Sequence, residues 1–127
     1  MQLPISIIIP TMNRPESLDR TLKLLFNSTD IPNQVIIVDQ SSDSAIMRKN
    51  QRILQKYNYC LACSVYEYQQ TPSLTKARNR GLVKAINEII VFADDDIDVN
   101  SDTIINVYNL MPSTTYYWKV EGDKTGD

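Results

Sequence analysis

Short apolar runs alternate along this chain with longer segments of helical spacing, and this alternation constrains the fold more than any other feature. Ile5–Ile9, Val35–Val38 and Ile89–Ala93 are rich in β-branched residues, as expected of strands buried on both faces. Strand-helix units in this order build a parallel sheet. The sequence therefore predicts an α/β fold, an open and mostly parallel sheet flanked by helices.

Helical periodicity and weaker strand patterns complete the predicted order of elements. The helical segments place their apolar residues at Leu18, Leu22, Leu25 and Phe26, at Ile46, Ile53 and Tyr57, at Leu74, Ala77, Gly81, Leu82 and Ala85, and at Ile104, Val107, Tyr108 and Met111. Two further strands are predicted at Leu61–Tyr68 and Thr114–Val120. The order is that of repeated strand-helix units.

Prolines and polar residues predict where several elements begin and end. We expect Pro10 to end the first strand and Pro32-Asn33 to form a turn before the second. Pro15 is expected at the first position of the first helix, after a cap at Asn13 or Arg14. Thr71 is expected to cap the third helix, with Pro72 at its first position.

Length, composition and charge favour one globular domain and exclude several classes. A chain of 127 residues with 43% hydrophobic and 22% charged residues can bury one core. We assign residues 1–120 to this domain and 121–127 to a disordered tail. The net charge of −2 provides no basic field for nucleic acid. Apolar runs stay below the roughly 18 residues of a transmembrane segment, which leaves peripheral membrane association open.

Cys60 and Cys63 form a single Cys-x-x-Cys pattern. Because the chain has no histidine and no second ligand pair, a typical zinc site cannot be completed. The pair is interpreted as two reduced core thiols, with redox chemistry as the alternative. Together with an opening that lacks a basic n-region, this predicts a cytoplasmic protein.

Polar side chains follow three of the predicted strands, at the point where each strand ends. Thr11–Arg14 follow the first strand, Asp39–Asp43 the second and Asp94–Asp96 the fourth. In an open parallel sheet, ligands bind outside the carboxyl ends of the strands. The three loops are therefore expected to lie on one edge and to form a binding site.

The run Asp94-Asp95-Asp96 is the strongest candidate within this edge. Adjacent carboxylates repel one another, and a divalent cation among them relieves the repulsion. Mg²⁺ or Mn²⁺ would use one or two carboxylates, with water and phosphate oxygens as its other ligands. Since alternate residues of an extended segment point the same way, Asp94 and Asp96 would face one ligand in a D-x-D arrangement. The alternative is a solvated acidic turn that caps the next helix.

Three other polar residues each have two interpretations. Arg78 and Arg80 either neutralise a diphosphate or lie in solvent on the third helix. Asp39 either accepts a hydrogen bond from a nucleobase or ribose, or caps the helix that follows it.

Four segments, in this order and spacing, resemble the family 2 glycosyltransferases. They are Ile7–Arg14, Val35–Asp43, Ala77–Gly81 and Val91–Asp96. The resemblance extends from Ile5 to about Val99. It implies the A-type glycosyltransferase fold, a Rossmann-like nucleotide-diphospho-sugar transferase type, of which this chain would be the N-terminal nucleotide-sugar-binding part.

The resemblance implies roles for individual residues. Contacts with the nucleotide are expected from Thr11, Asn13, Arg14, Asp39, Ser41, Arg78, Asn79, Asp94 and Asp95, and contacts with the metal from Asp94 and Asp96. In this family the aspartate after the second strand accepts from the base, usually uracil. The implied reaction transfers a sugar from a UDP-sugar to a hydroxyl of an unknown glycan or lipid-linked acceptor, with inversion.

Two features depart from the family pattern. Met12 stands where an aromatic residue often stacks on the base. The length leaves out the later half that supplies the acceptor pocket and the catalytic base, so the catalytic residues stay unassigned and the chain is expected to be truncated. Glu121 and Asp123 are carboxylates without a surrounding motif.

Three other functions compete with this interpretation. A non-catalytic module with the same fold is the main alternative. A nucleotidyltransferase would need a glycine-rich loop after the first strand, and the three glycines of the chain lie elsewhere. In a phospho-acceptor signalling domain, the acceptor aspartate and the acidic cluster would follow other strands than the acidic residues do in this chain.

Overall fold

Strands and helices alternate in the computed structural model, which describes residues 2–57, 63–98, 100–110 and, as backbone, 116–120. The elements are β1 (Gln2–Thr11), α1 (Pro15–Phe26), β2 (Ile31–Asp39), α2 (Ser44–Tyr57), β3 (Cys63–Tyr68), α3 (Leu74–Lys84), β4 (Ile89–Ala93), α4 (Thr103–Leu110) and β5 (Tyr116–Val120). This is the predicted order of elements.

The described strands form one sheet in the order β3-β2-β1-β4-β5. Each neighbouring pair is parallel, which confirms the predicted α/β fold. β2 and β3 are added on one side of β1, and β4 and β5 on its other side. The carboxyl ends of β1 and β4 therefore flank the switch point, where open α/β sheets bind their ligands.

Both faces of the sheet are covered by helices, which explains the uninterrupted apolar runs of the strands. Ile7 and Ile9 belong to a core that also includes buried residues of α1, α2 and α4. Ile8 points to the other face, where it packs in a cluster with Ala77 of α3. The alternation of side chains along β1 thus divides the core into two layers.

The prolines of the first two strands lie inside them, so the predicted boundaries at Pro10 and Pro32-Asn33 were wrong. β1 runs on to Thr11, although its pairing with β4 ends at Ile8. On the side of β1 that faces β4, Pro10 therefore lies beyond the described pairing and interrupts none of its hydrogen bonds. Pro32 lies next to an irregular register between β1 and β2, the kind of position where a strand tolerates proline.

The third helix begins later than predicted. Ser73 is its N-cap, and the Ser73 hydroxyl accepts a hydrogen bond from the Lys76 amide at 3.2 Å. The predicted cap and first position at Thr71 and Pro72 were wrong, because these residues lie in the loop before the helix. Pro15 does occupy the first turn of α1, with Arg14 at the cap position.

Several predictions fall on residues outside the described part of the chain. These are residues 61–62 and 114–115 of the predicted strands, Cys60, Met111 and the tail at 121–127. Cys63 is a half-buried free thiol at the start of β3.

Gly81 lets α3 approach β1 closely. A Cβ atom at this position would lie 2.5 Å from Cγ2 of Ile8, a buried β-branched side chain with little room to move. Gly81→Ala is therefore expected to lower the free energy of unfolding by about 1–2 kcal/mol, since overpacking outweighs the gain in helix propensity. Urea denaturation measures this effect, with Lys76→Ala on the exposed side of α3 as the control. An equal or higher stability of Gly81→Ala would show that the helix can move away at no cost.

Candidate functional site

Three loops meet at the carboxyl ends of β1, β2 and β4 and are joined by hydrogen bonds. Thr11 is paired with Asp39 in the sheet register. The Thr11 hydroxyl donates to Oδ2 of Asp95 at 2.7 Å, across 84 residues of sequence. The amide of Asn13 donates to the Ser41 hydroxyl at 2.9 Å. The structure thus brings together residues that the sequence placed in separate loops.

Asn13 has a left-handed backbone conformation, with φ of 56°. Asparagine tolerates this region better than most residues. Its side chain connects two loops, because Oδ1 accepts from the Ser42 amide at 3.2 Å and Nδ2 donates to the Ser42 hydroxyl at 3.4 Å. These hydrogen bonds fix the backbone at Asn13, between the exposed Met12 and Arg14.

Burial alternates along the acidic run after β4, although Asp95 and Asp96 lie in a turn and not in the extended segment that the sequence predicted. Asp95 is buried, with 5% of its surface exposed, while Asp94 and Asp96 are half-buried. The Thr21 hydroxyl donates to the backbone carbonyl of Asp95 at 2.7 Å. Burial raises the pKa of the Asp95 carboxyl, an effect that the hydrogen bond from Thr11 opposes. Asp95 is therefore anchored in the protein, and its two neighbours lie closer to solvent.

Arg14 is the cation that faces this acidic run. Its Nη2 lies 3.0 Å from Oδ2 of Asp96 and its Nη1 lies 3.4 Å from Oδ1 of Asp95. The hydrogen bond to Asp96, followed by the charge of Asp95, raises the pKa of the Arg14 guanidinium. Arg14 thus lies against Asp96, a predicted metal ligand, and against Asp95, which is expected to contact the nucleotide.

Asp39 is fully buried at the end of β2 and accepts three hydrogen bonds. Its Oδ1 accepts from the Ser41 amide at 2.9 Å, and its Oδ2 accepts from Asn50 Nδ2 at 3.0 Å and from the Tyr66 hydroxyl at 2.8 Å. Burial, together with the hydrogen bond to Asp39, raises the pKa of Tyr66 well above its ordinary value. The carboxylate is therefore fixed by α2, β3 and its own loop.

Asn50 and Tyr66 were missed in the sequence. Asn50 has no exposed surface, and its Oδ1 is buried without a hydrogen-bond partner. A signal was present, because Asn50 lies four residues after Ile46 and three before Ile53, on the apolar side of α2. A polar residue at such a position requires a buried partner. The pattern of β3 held no comparable sign for Tyr66.

Arg78 and Asn79 lie on different sides of α3. The Arg78 guanidinium lies over the Phe92 ring of β4, at 5.3 Å from the ring centre, and its Nε is buried without a hydrogen-bond partner. Asn79 is exposed and, with Arg80 and Glu67, lines a cavity of about 600 Å³. Arg78 is thus next to the strand that carries the acidic run, whereas Asn79 lines this separate cavity.

The donor atoms of the site suit a hard cation. Among the described residues, three or more side chains of His, Cys, Asp or Glu nowhere converge on one point. Asp94 and Asp96 offer carboxylate oxygens, and Mg²⁺ and Mn²⁺ bind well to one or two carboxylates when water and phosphate complete the shell. Arg78 Nε adds an unpaired donor of the kind that a phosphate oxygen satisfies. The carboxylates of Asp94 and Asp96 are thus of the donor type that such a cation takes.

None of the helices in the described ranges combines the length and the apolar character needed to cross a bilayer.

The curated proteins that resemble this chain in sequence include two bacterial glycosyltransferases. The chain is 28% identical over 105 residues to the cholesterol galactosyltransferase of Borreliella burgdorferi, in an alignment that covers 83% of this chain and 28% of that protein. It is 33% identical over 104 residues to the GalNAc(5)-diNAcBac-PP-undecaprenol beta-1,3-glucosyltransferase of Campylobacter jejuni, covering 79% of this chain and 32% of that protein. The chain thus spans about a third or less of the length of either relative.

Solved structures of S. aureus TarS resemble the fold. Residues 1–349 of TarS in complex with UDP-GlcNAc superpose with a TM-score of 0.67 at 26% identity, covering 86% of this chain and 31% of that one. The complex with UDP gives a TM-score of 0.69, also at 26% identity, covering 86% of this chain and 32% of that one. The sequence model of glycosyl transferase family 2 matches residues 6–117. Since this match includes most of the chain and all three loops of the site, the chain belongs to glycosyl transferase family 2.

Proposed function

We propose that this chain is the donor-binding part of a glycosyltransferase that holds a UDP-sugar together with Mg²⁺ or Mn²⁺. The sugar would pass, with inversion, to a hydroxyl of a glycan or lipid-linked acceptor. The observation that carries the proposal is the meeting of the Thr11, Asp39 and Asp94–Asp96 loops at the switch point of the sheet. The UDP-GlcNAc complex of TarS and the names of the two relatives support it.

In this proposal Asp39 receives the base through Oδ1. A carboxylate has about four acceptor positions; the two on Oδ2 are taken by Asn50 and Tyr66, and one on Oδ1 by the Ser41 amide. One position is left, which suits the single imide N–H of uracil. Because Asp39 is fully buried, base binding includes a rearrangement that exposes Oδ1.

The remaining residues would hold the ribose and the diphosphate. Asp94 would accept from a ribose hydroxyl, and Asp96 would bind the cation. The unpaired Nε of Arg78 would donate to a phosphate oxygen. A bound cation supplies Lewis-acid stabilisation of the departing diphosphate. Contacts of Asn13, Ser41 and Asn79 with the nucleotide stay predictions.

The proposal assigns donor binding to this chain and leaves the base that deprotonates the acceptor unassigned. Glu121 and Asp123 lie outside the described residues. A cytoplasmic location is part of the proposal.

Thermal unfolding with UDP, in the presence and absence of Mn²⁺, tests donor binding. A ligand at about 100 times its Kd stabilises the native state by about 2.7 kcal/mol, so UDP with Mn²⁺ is expected to raise the Tm by several degrees. Mn²⁺ alone, and ADP with Mn²⁺, are the controls for the cation and for the base. The absence of a shift with UDP and Mn²⁺ would contradict the proposal, and a shift of equal size without Mn²⁺ would remove the cation from it.

A further inference from the structure

The Arg14 guanidinium bridges two of the three aspartates after β4. Its two terminal nitrogens contact different carboxylates, Asp96 at 3.0 Å and Asp95 at 3.4 Å. The contacts join the start of α1 to the loop after β4, across 82 residues of sequence. Adjacent carboxylates repel one another, and the planar guanidinium reduces this repulsion by bridging two of them.

The two carboxylates that Arg14 contacts are held unequally. The Asp95 side chain is 6% exposed and accepts from Thr11, whereas the Asp96 side chain is 18% exposed and lies closer to solvent. Arg14 itself is 43% exposed. Asp95 is therefore a fixed anchor for the guanidinium, while the contact with Asp96 is the more exposed of the two.

On the basis of the function proposed above, we propose that Arg14 is a positioning residue that neutralises the acidic loop until the divalent cation takes Asp96 from it. Asp95 keeps its contact with Arg14 in the cation-bound state. A guanidinium and a divalent cation at one carboxylate repel each other, so the cation binds at the expense of the Arg14–Asp96 contact. Arg14 thus stabilises the empty loop and weakens its affinity for the cation.

The fork of the guanidinium is needed for this role. Lysine carries the same charge but presents it as one point, so it cannot contact Asp95 and Asp96 in the way that Nη1 and Nη2 do. Arg14→Lys is expected to lie between the parent chain and Arg14→Gln in cation affinity.

Arg20 provides a matched control. It lies on α1, the helix that begins after Arg14, and pairs with the same loop through an exposed ion pair with Asp98. Arg20→Gln therefore removes the same charge from beside the same loop without removing a contact of Asp95 or Asp96. The long-range effect of the charge on cation binding is similar in both variants, and a difference between them reports the local competition.

Titration with Mn²⁺, followed by the electron paramagnetic resonance signal of the free ion, measures cation affinity without a need for activity. The 127-residue chain and the three variants are titrated with UDP at a concentration that saturates each of them, and UDP alone is the blank. Since a partly exposed ion pair is worth up to about 1 kcal/mol, Arg14→Gln is expected to bind Mn²⁺ about two- to fivefold more tightly than Arg20→Gln. Without cation and nucleotide, the Tm of Arg14→Gln is expected to be lower than that of Arg20→Gln. Addition of Mn²⁺ and UDP is expected to remove this difference.

The outcomes separate this inference from the proposed function. Equal Mn²⁺ affinity of Arg14→Gln and Arg20→Gln, or weaker binding by Arg14→Gln, would overturn the competition while leaving the cation site intact. If neither the parent chain nor Arg20→Gln binds Mn²⁺ with UDP present, the cation site of the proposed function is wrong and the inference fails with it.

Discussion

Asp96→Asn is expected to abolish most of the Mn²⁺-dependent binding of UDP. Asparagine keeps the shape of the side chain but loses the charge that a hard cation requires. Removing an outer-shell partner of a metal site costs about 10- to 100-fold in affinity, so the loss of a direct ligand is expected to cost at least about 100-fold. Isothermal titration with UDP, at a fixed Mn²⁺ concentration and without Mn²⁺, measures the effect.

Asp98→Asn is the control for this substitution. Asp98 lies two residues further along the same loop and pairs with Arg20, so the substitution changes the local charge equally without touching the predicted ligand. Unchanged UDP binding by Asp96→Asn in Mn²⁺ would show that the acidic run is the solvated turn that competes with the metal hypothesis. Equal losses in both variants would indicate a general effect of charge.

The parts of the site that are encoded by neighbouring residues could be predicted from the sequence. The acidic run follows an apolar strand directly, and the topology of a parallel sheet places the ends of β1, β2 and β4 on one edge. These inferences need only local pattern and the rule for ligand sites in open sheets.

The partners of the site residues could not be predicted in the same way. Tyr66 reaches Asp39 from the neighbouring strand, and Arg14 reaches the acidic run across the switch point. Such contacts depend on the relative placement of elements, which hydrophobic periodicity does not specify. The sequence therefore predicted which residues are polar at the edge, but not which of them neutralise or fix one another.

The opposite edge of the sheet shows the same limit. Gln34 is fully buried in β2, where its amide donates to the carbonyl of Lys84 at 2.9 Å and its Oε1 accepts from the Ile86 amide at 2.9 Å. Its Oε1 also accepts from the hydroxyl of Ser6. This network holds the loop between α3 and β4. The second strand was predicted to begin at Val35, but β2 begins at Ile31, so Gln34 lies inside the strand.

Asp39→Asn is expected to weaken both the fold and UDP binding. In the parent chain the Asp39 carboxylate accepts from the Ser41 amide, Asn50 and Tyr66. Asparagine keeps only one acceptor oxygen and points an NH₂ group at some of these donors. Because hydrogen bonds to a charged acceptor contribute about 1.5–3 kcal/mol, the free energy of unfolding is expected to fall by about 2 kcal/mol. Urea denaturation measures this loss. UDP affinity is expected to fall about 10- to 100-fold, since a polar group at the base would lose its partner.

Comparison of UDP with inorganic diphosphate separates base recognition from a general effect on the site. Inorganic diphosphate has no base, so Asp39→Asn is expected to bind it with Mg²⁺ as well as the parent chain does. Asp43→Asn lies on the same loop and keeps a side chain suited to cap α2, so it serves as the matched control. If UDP and diphosphate lose equal affinity in Asp39→Asn, the carboxylate only fixes the loop. If only UDP loses affinity, Asp39 recognises the base, and Asn50 and Tyr66 hold it in place for this role. The stability of the fold and the choice of nucleotide then depend on the same carboxylate.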